Sequence, residues 1–392
     1  MIKKIADKSL EELFYIRKIV ADCSNNVLFC EYPTQNITAN SSFVKYTSIN
    51  TQYKMLDSDS LLVFCSELSN DLSENKAVRD VTPQDTYISS FYLSDRTKCN
   101  ASDVYSQWMS YCKDGGVAFE FYFGQDIIGN SKNLSEKEYS KHIKSCFENA
   151  KQRELNTFNY SLICNDAKDD SDYYLYPNFP FQVQYYDNLG KNDEFPINEM
   201  VKASDATIEE LLPFFKHSGF VQESEARLAF VNINNRLAKC IKFIDKKDGT
   251  KIPYIEVKFG DLDNNKKPCD YIKIASDMTI EDAITKDFEN KNPFSLIQQK
   301  PIIIPQGRDQ EEIYNTIESV LNKIDPNLLK QHKINIICQG HLPITKITVA
   351  PTNDRREQKK KLEIYCKSKY WLRNVEICES QIPYNTVNNN HT

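Results

Sequence analysis

Glycine is scarce in this chain, at 10 of 392 residues, and no GxGxxG or Walker-type pattern occurs. This scarcity argues against a glycine-rich loop that cradles phosphate groups. Long apolar runs are also missing, because no stretch reaches the roughly 18 apolar residues that a membrane-spanning helix needs. The first residues contain no apolar core of the signal-peptide type. We therefore expect no membrane partner and a cytoplasmic location.

Metal and disulfide patterns are missing too. The 12 cysteines contain no CxxC pair, and the 5 histidines show no metal-ligand spacing. A long chain with dispersed cysteines does not fit a secreted disulfide scaffold, so we expect reduced thiols and no bound metal. The net charge is −6 with both signs well mixed, which does not indicate a nucleic-acid binder, although a local basic patch stays open.

The composition supplies a sizeable core, because 40% of the residues are hydrophobic and 11% are aromatic. We expect an α+β fold with a mixed, mainly antiparallel central sheet flanked by helices. The predicted organisation is an N-terminal helix and loop (1–42), a core domain that carries the site (43–299), a C-terminal β-α repeat packed on that core (300–385), and a disordered tail (386–392).

Apolar periodicity and turn residues predict the elements of this fold. Strands are expected at 43–46, 61–66 and 86–94, at the start of 156–200 before a long loop, and in two segments around Asp248-Gly249. A helix from Tyr105, which places Trp108, Tyr111 and Cys112 on one face, is followed by an Asp114-Gly115-Gly116 turn and a strand. Capping boxes predict helices from Ser9, Ser135 and Thr207, the last of them reaching His217 and closing at Gly219.

The C-terminal part contains the same pattern twice. Residues 300–323 and 345–368 each read as a strand, a proline, a polar turn and a helix. We expect the two copies to pack side by side on one sheet, with a last short strand at 375–385. Arginines lie near the start of each helix, in Gly307-Arg308 and in residues 353–356, where they could help to bind an anion such as phosphate. The simpler interpretation is that they are exposed turn residues.

The most distinctive stretch is 214–231, which reads FFKHSGFVQESEARLAFV. It predicts the end of a helix, a turn at Gly219 and then a strand. The side chains of Glu223, Glu225 and Arg227 then lie on one face of that strand, because residues two apart in a strand point the same way. Charged side chains in the middle of a chain are costly to bury unless they are paired or used. The row is therefore either a site or a structural ion-pair network.

A series of short motifs surrounds this row. They are Phe43-Val44-Lys45-Tyr46, Asn70-Asp71 with Glu74, Tyr92-Leu93-Ser94, Trp108 and Tyr111 followed by Gly116-Val117, Lys216 with Glu223, Glu225 and Arg227, and Ser380-Gln381-Ile382-Pro383-Tyr384. In this order they resemble the prokaryotic family called domain of unknown function twenty-nine seventy-one. Ala226 stands where that family has Trp, and Leu72-Ser73 where it has Pro-Phe.

The row also resembles, more distantly, the Glu-x-Glu arrangement of ADP-ribosyltransferases. The resemblance implies NAD as substrate, with Glu225 as the key carboxylate, Glu223 as its partner and Arg227 as an orienting or phosphate-binding group. It also implies substrate-binding roles for Lys45, Tyr46, Ser90, Ser94, Trp108, Tyr111 and Lys216. Lys45-Tyr46 departs from the pattern, because the family has Arg or His on the early strand.

Several of these residues have a structural interpretation as well. Trp108 and Tyr111 are stacking walls for a base or simply core packing, and Gly115-Gly116 is a close approach to a ligand or simply a helix stop. His217 is an acid–base group or a helix-end residue.

The resemblance indicates an ADP-ribosyltransferase or NAD glycohydrolase, of the kind found among bacterial toxins and phage-defence effectors. Its partner is then a small-molecule nucleotide or a macromolecular acceptor. The alternative is a non-catalytic module that senses a ligand or binds a protein. The reaction, the acceptor and the oligomeric state stay open.

Overall fold

The structure, a computed structural model, describes part of the chain. The described residues are 41–66, 86–95, 102–123, 160–162, 175–176, 180–186, 212–231, 238–245, 249–259, 302–304, 309–324, 336–338 and 340–383. The helices predicted from Ser9 and Ser135, the start of the helix predicted at Thr207, and Gly307-Arg308 lie outside these residues, as do the predicted tail and the motif at Asn70-Asp71.

The strands in chain order are β1 (Ser41–Ser48), β2 (Leu61–Cys65), β3 (Thr86–Asp95), β4 (Gly116–Phe121), β5 (Tyr160–Leu162), β6 (Leu175–Tyr176), β7 (Phe181–Gln182), β8 (Gln184–Tyr186), β9 (Phe215–His217), β10 (Glu225–Val231), β11 (Lys242–Asp245), β12 (Lys251–Phe259), β13 (Ile302–Ile304), β14 (Ile336–Cys338), β15 (Ile344–Val349) and β16 (Glu376–Glu379). The α-helices are α1 (Ile49–Ser58), α2 (Tyr105–Tyr111), α3 (Gln310–Ile324) and α4 (Arg355–Lys367). Short 3-10 helices cover Leu212–Phe214, Ser218–Glu223, Ala238–Cys240 and Tyr370–Leu372. The fold is α+β with mixed, mainly antiparallel sheet structure, as predicted.

Two compact units make up the chain. The first includes Asp59–Leu93 and Phe123–Leu262, and the second consists of Ser42–Ser58, Ser94–Tyr122 and Asp263–Thr392. The domain boundaries expected from the sequence stay a prediction.

In the first unit, an antiparallel sheet has the strand order β3-β2-β12-β5-β6. Strand β10 pairs with both β3 and β7, and β11 forms a hairpin with β12 in which Ile244 lies opposite Ile252. This hairpin was predicted, and Gly249 supplies its positive φ of 82°. The region predicted as a long loop after residue 162 contains the short strands β6, β7 and β8, and β8 pairs with β9 in parallel.

In the second unit, the strand order is β1-β4-β15-β16. The first two pairs are antiparallel, and β15 pairs with β16 in parallel. Both predicted β-α copies are present, as β13 with α3 and β15 with α4. Their placement on one sheet was wrong, because β13 pairs with β14 in a two-stranded sheet of its own. The buried strand β14 was not foreseen, and it gives β13 a partner that satisfies its backbone groups.

Three helices of the second unit, α1, α3 and α4, bury apolar side chains along one face. Helix α3 buries side chains at helical spacing, namely Ile313, Tyr314, Ile317, Val320 and Leu321. Helix α4 buries Leu362 and Cys366, and α1 buries Met55 and Leu56. Glu311 and Glu312 in the first turn of α3 and Lys323 in its last turn complement the helix dipole. Across the described residues, no helix has both the length and the apolar character that a membrane crossing requires.

The turn between α2 and β4 explains the glycine pair. Gly115 and Gly116 have φ angles of 98° and 152°. A Cβ atom on Gly116 would lie 2.1 Å from the carbonyl oxygen of Thr47 on β1. Gly116 is thus required because the backbone of β1 passes directly beside it, and no ligand is involved in this contact. The contact fixes the start of β4 against the end of β1.

Candidate functional site

The predicted row of charges begins differently from expectation. Residues 212–217 form a 3-10 turn and then β9, so the helix expected to reach His217 is wrong in its described part. Pro213 disfavours a continuing helix, and the consecutive side chains of Phe214 and Phe215 are both buried. Glu223 ends the 3-10 helix Ser218–Glu223, and β10 starts at Glu225. Glu225 and Arg227 therefore share a strand face, whereas Glu223 is not part of the strand.

Ser224 separates the two glutamates in the left-handed conformation, with φ 45° and ψ 55°. A residue with a side chain pays of order 1 kcal/mol for this conformation. Two hydrogen bonds to β3 hold it: Ser224 Oγ donates to the Leu93 carbonyl at 3.0 Å, and the Leu93 N–H donates to the Ser224 carbonyl at 2.6 Å. This turn ends the 3-10 helix, within which Gly219 lies, and it directs Glu223 away from the alternation of β10.

Arg227 holds Glu225 in a two-pronged ion pair. Its Nε donates to Glu225 Oε1 at 2.8 Å, and its Nη2 donates to Glu225 Oε2 at 2.8 Å. Its Nη1 donates to the Pro213 carbonyl at 2.7 Å. The side chain of Arg227 is 2% exposed and that of Glu225 is 6% exposed. This geometry is the strong bidentate form of an arginine–carboxylate pair, in a water-poor environment.

Lys216 links this pair to Glu223. Its Nζ lies 2.7 Å from Glu223 Oε2 and 3.5 Å from Glu225 Oε2. The ammonium also lies 4.6 Å from the centre of the Phe220 ring, within cation–π range. The Lys216 side chain is 7% exposed, whereas that of Glu223 is 31% exposed. We call Lys216, Glu223, Glu225 and Arg227 the charged cluster; two cations and two carboxylates make it neutral.

Glu225 is ionised at any physiological pH. Burial raises the pKa of Glu225, but the charges of Arg227 and Lys216 and hydrogen bonds from Arg227 and Ser90 outweigh it and lower the pKa to about 2. The Glu225 N–H donates to the Tyr185 hydroxyl oxygen at 2.9 Å, and burial raises the pKa of Tyr185. A carboxylate held in this way cannot exchange a proton as a general acid or base near neutral pH.

The structure places Ser90 of the middle strand β3 next to Glu225 and Arg227, and its substrate-binding role stays a prediction. Ser90 lies directly opposite Arg227 on β3, and Tyr92 lies opposite Glu225. Ala226 faces the other side of β10, is fully buried, and lies between Phe91 and Gln182 of the neighbouring strands. Ala226 thus fills an enclosed position in the sheet.

The other predicted residues belong to the second unit. Tyr46 packs edge-on against Trp108 with ring centres 4.8 Å apart, and its hydroxyl oxygen accepts the Val104 N–H at 3.2 Å. Trp108 Nε1 donates to Asp103 Oδ1 at 2.7 Å, and Trp108 is 1% exposed. The ring of Trp108 is therefore a packed core group and not an open stacking wall.

Asp103 connects Trp108 to the segment after β16. Ser380 Oγ donates to Asp103 Oδ1 at 2.6 Å, and the Gln381 N–H donates to Asp103 Oδ2 at 2.6 Å. Ser380 Oγ also accepts the Ile382 N–H at 3.1 Å. We call Tyr46, Asp103, Trp108 and Ser380 the Asp103 cluster. It explains the Ser-x-Ile-Pro part of the C-terminal motif as a structural fastening.

Three predicted binding residues have surroundings that differ from those of Trp108. Tyr111 is 47% exposed, whereas Trp108 and Cys112 are buried, so Tyr111 lies toward solvent and does not share their buried environment. Lys45 points to the face of β1 opposite to Tyr46, and it is buried across from Phe119. Ser94 is partly exposed near the end of β3.

Two further candidates have structural roles. His217 is exposed, and its Nδ1 accepts the Gly219 N–H at 3.0 Å, which caps the 3-10 helix. At the start of α4, the Asp354 carboxylate accepts hydrogen bonds from Thr352 at 2.7 Å and Gln358 at 2.9 Å. Arg355 lies 3.6 Å from Glu379. A carboxylate already occupies this helix start, which disfavours a second anion there.

Sequence reasoning missed several residues that build the two clusters. Asp103, Tyr185, Phe220 and the Pro213 carbonyl were not singled out, and Asp103 lies 277 residues from Ser380. Their roles follow from tertiary contacts and have no local signal in the sequence. Within the described part of the chain, no group of three or more His, Cys, Asp and Glu side chains is arranged to hold a metal ion.

Comparison with known proteins adds no information about this site. No family model, no curated protein and no solved structure matches the chain. The family resemblance of the motifs accordingly stays a prediction.

Proposed function

We propose that this chain is an enzyme that acts on NAD or a related nucleotide, and that Glu223 is the carboxylate that meets the substrate. The observation that carries the proposal is the difference in exposure: 31% for the Glu223 side chain, against 6% for Glu225 and 2% for Arg227. The sequence favoured Glu225 for this role. Its bidentate pairing leaves it no free oxygen edge for a ribose hydroxyl, so it is better suited to positioning.

The cluster suits the stabilisation of developing positive charge. In NAD cleavage, the bond between ribose C1′ and the nicotinamide nitrogen breaks, and its electron pair leaves with nicotinamide. The ribose becomes oxocarbenium-like, and a nearby fixed carboxylate stabilises it. Water or an acceptor nucleophile then adds at C1′ and loses a proton. Glu223 supplies the carboxylate, and in the unliganded cluster Lys216, which also lies 3.5 Å from Glu225, holds it at 2.7 Å.

The test is nicotinamide release by the full-length chain incubated with NAD, with and without cell extract as a source of acceptors. We expect release by the wild type and a fall of about 10²–10³-fold for Glu223→Gln, the usual cost of losing one electrostatic stabiliser. Glu256→Gln is the matched control, because Glu256 forms an equally short ion pair with Lys242, at 2.6 Å, in the same unit. Equal release by Glu223→Gln, or no release by the folded wild type in either condition, contradicts the proposal.

A bacterial toxin or phage-defence effector is the context that we propose for such an enzyme. The cytosol supplies NAD and keeps thiols reduced. Induced expression should then arrest growth and lower cellular NAD, and Glu223→Gln should relieve both effects. Growth arrest that persists in the variant without loss of NAD would contradict this context.

A second candidate is a non-catalytic module that senses a ligand or binds a protein. The closed pairing of Arg227 with Glu225 favours it, because buried bidentate pairs commonly serve structure. This candidate predicts that NAD or ADP, if bound, is recovered intact. Nicotinamide release that depends on Glu223 would exclude it.

A further inference from the structure

Lys216 has two carboxylate neighbours that differ in accessibility. On its buried side lies Glu225, which Arg227 fixes at both oxygens. On its solvent side lies Glu223, which approaches to 2.7 Å and is 31% exposed. Solvent can hydrate the partly exposed Glu223 carboxylate when it leaves Lys216, so Glu223 is the neighbour that exchanges more readily.

The backbone around Glu223 allows this exchange without a change of fold. Ser224 is tied to Leu93 of β3 by hydrogen bonds in both directions, so the start of β10 is fixed. The Glu223 side chain reaches Lys216 from the last position of a 3-10 helix. Rotation about its own side-chain bonds is therefore sufficient to move the carboxylate into solvent.

Departure of Glu223 changes the electrostatics of the site. The remaining Lys216, Glu225 and Arg227 carry one net positive charge, and the Lys216 ammonium is shielded from water on the side of the Phe220 ring. A poorly hydrated ammonium next to a fixed ion pair is a favourable partner for an anion. Phosphate oxygens are stronger multiple acceptors than a single carboxylate oxygen, so one of them can accept the lysine hydrogen that Glu223 gives up, while Lys216 keeps its contact with Glu225.

We propose that Lys216 binds a phosphate group of the substrate, and that Glu223 occupies this phosphate site when no substrate is bound. The identity of the substrate as NAD or a nucleotide rests on the function proposed above. One rotation then has two consequences: it frees the lysine for the pyrophosphate, and it releases the Glu223 carboxylate toward the ribose. The ligand class is a nucleoside diphosphate or a free phosphate, which share this chemistry.

The experiment is calorimetric titration of the full-length chain with inorganic pyrophosphate, in the absence of NAD. We expect Glu223→Gln to bind pyrophosphate about fivefold more tightly than the wild type, because the competing carboxylate is neutralised. We expect Lys216→Met to bind at least about tenfold more weakly, through loss of a charge-assisted contact. Titration with ADP in parallel shows whether a nucleoside adds affinity to the same site, since its binding must respond to both substitutions.

Glu256→Gln again provides the control, because it frees Lys242 from an equally short ion pair. It should leave pyrophosphate affinity unchanged. An equal gain in Glu256→Gln, unchanged affinity in Glu223→Gln, or unchanged affinity in Lys216→Met overturns the proposal; melting curves verify that each variant is folded. Glu223→Gln is expected to gain phosphate affinity and to lose nicotinamide release, so a failure of either proposal is visible separately.

Discussion

The charged cluster and the Asp103 cluster are both built around a carboxylate, but they are held together differently. In the charged cluster, Glu225 is 6% exposed and is balanced by two cations. In the Asp103 cluster, the carboxylate accepts neutral donors from Trp108, Ser380 and Gln381. The first arrangement makes stability depend on charge balance and leaves one carboxylate exchangeable. The second fastens segments together, and its groups are already used. This difference is why we assign the site to the charged cluster.

The largest expected effect comes from breaking the charge balance. Glu225→Gln leaves Arg227 and Lys216 without their fixed carboxylate, and we expect a loss of about 3–5 kcal/mol in the free energy of unfolding. Urea unfolding at neutral pH measures it. Glu256→Gln breaks a more exposed pair, with the Lys242 side chain 26% exposed and that of Glu256 11% exposed, and should cost less than Glu225→Gln. Similar losses in both variants would mean that the charged cluster is an ordinary ion-pair network.

The two clusters should also differ in how their contribution to stability depends on acidic pH. The folded-state pKa of Glu225 is about 2, below its ordinary value of 4.5. Its contribution is therefore fully present above pH 4.5 and is lost as the pH falls toward 2, with a total of about 3 kcal/mol. Urea unfolding between pH 5 and 2 should show this loss in the wild type and in Trp108→Phe. The curve for Glu225→Gln should be flatter by that amount; an equally steep curve would refute the assignment.

The Asp103 cluster should respond to the loss of one donor. Trp108→Phe keeps an aromatic ring next to Tyr46 but removes the Nε1 donor, and we expect a loss of about 1.5–3 kcal/mol. A double-mutant cycle with Asp103→Ala measures the coupling between the two side chains. Additive losses would show that the Trp108–Asp103 hydrogen bond contributes nothing measurable.

The smallest effect concerns the turn between the glutamates. Ser224→Gly relieves the left-handed strain but removes the hydroxyl that donates to Leu93, so we expect a net change of less than about 1 kcal/mol. Ser224→Ala loses the same hydrogen bond and keeps the strain, and it should be the less stable variant. If Ser224→Ala equals or exceeds Ser224→Gly in stability, the strain is not significant.

Local signals predicted a large part of the fold. Gly249 marked the β11–β12 hairpin, Gly115-Gly116 marked the turn before β4, and the repeated strand-proline-helix pattern marked β13 with α3 and β15 with α4. The errors arose where tertiary contacts outweigh local preference. Ser224 adopts a conformation typical of glycine because two hydrogen bonds with Leu93 of β3, one in each direction, hold it there. That turn takes Glu223 out of the strand, which strict alternation cannot foresee.

The sequence predicted which residue types form the charged cluster better than it predicted how those residues are arranged. The pairing of Glu225 with Arg227 follows from strand alternation alone, and Lys216 and Ser90 join it as the motif order indicated. Which glutamate is exposed does not follow from the sequence, because exposure depends on the packing of Phe220, Tyr185 and β9. The Asp103 cluster could not be predicted for a similar reason, because its residues come from segments that are far apart in the chain.

The central claim is that Glu223, and not the buried Glu225, is the carboxylate available to a substrate. Nicotinamide release from NAD, measured side by side for the wild type, Glu223→Gln and Glu256→Gln at matched folded concentration, tests it most directly. The account predicts release by the wild type and by Glu256→Gln, and a fall of about 10²–10³-fold for Glu223→Gln. Equal release by all three proteins, or none from the folded wild type, would contradict it.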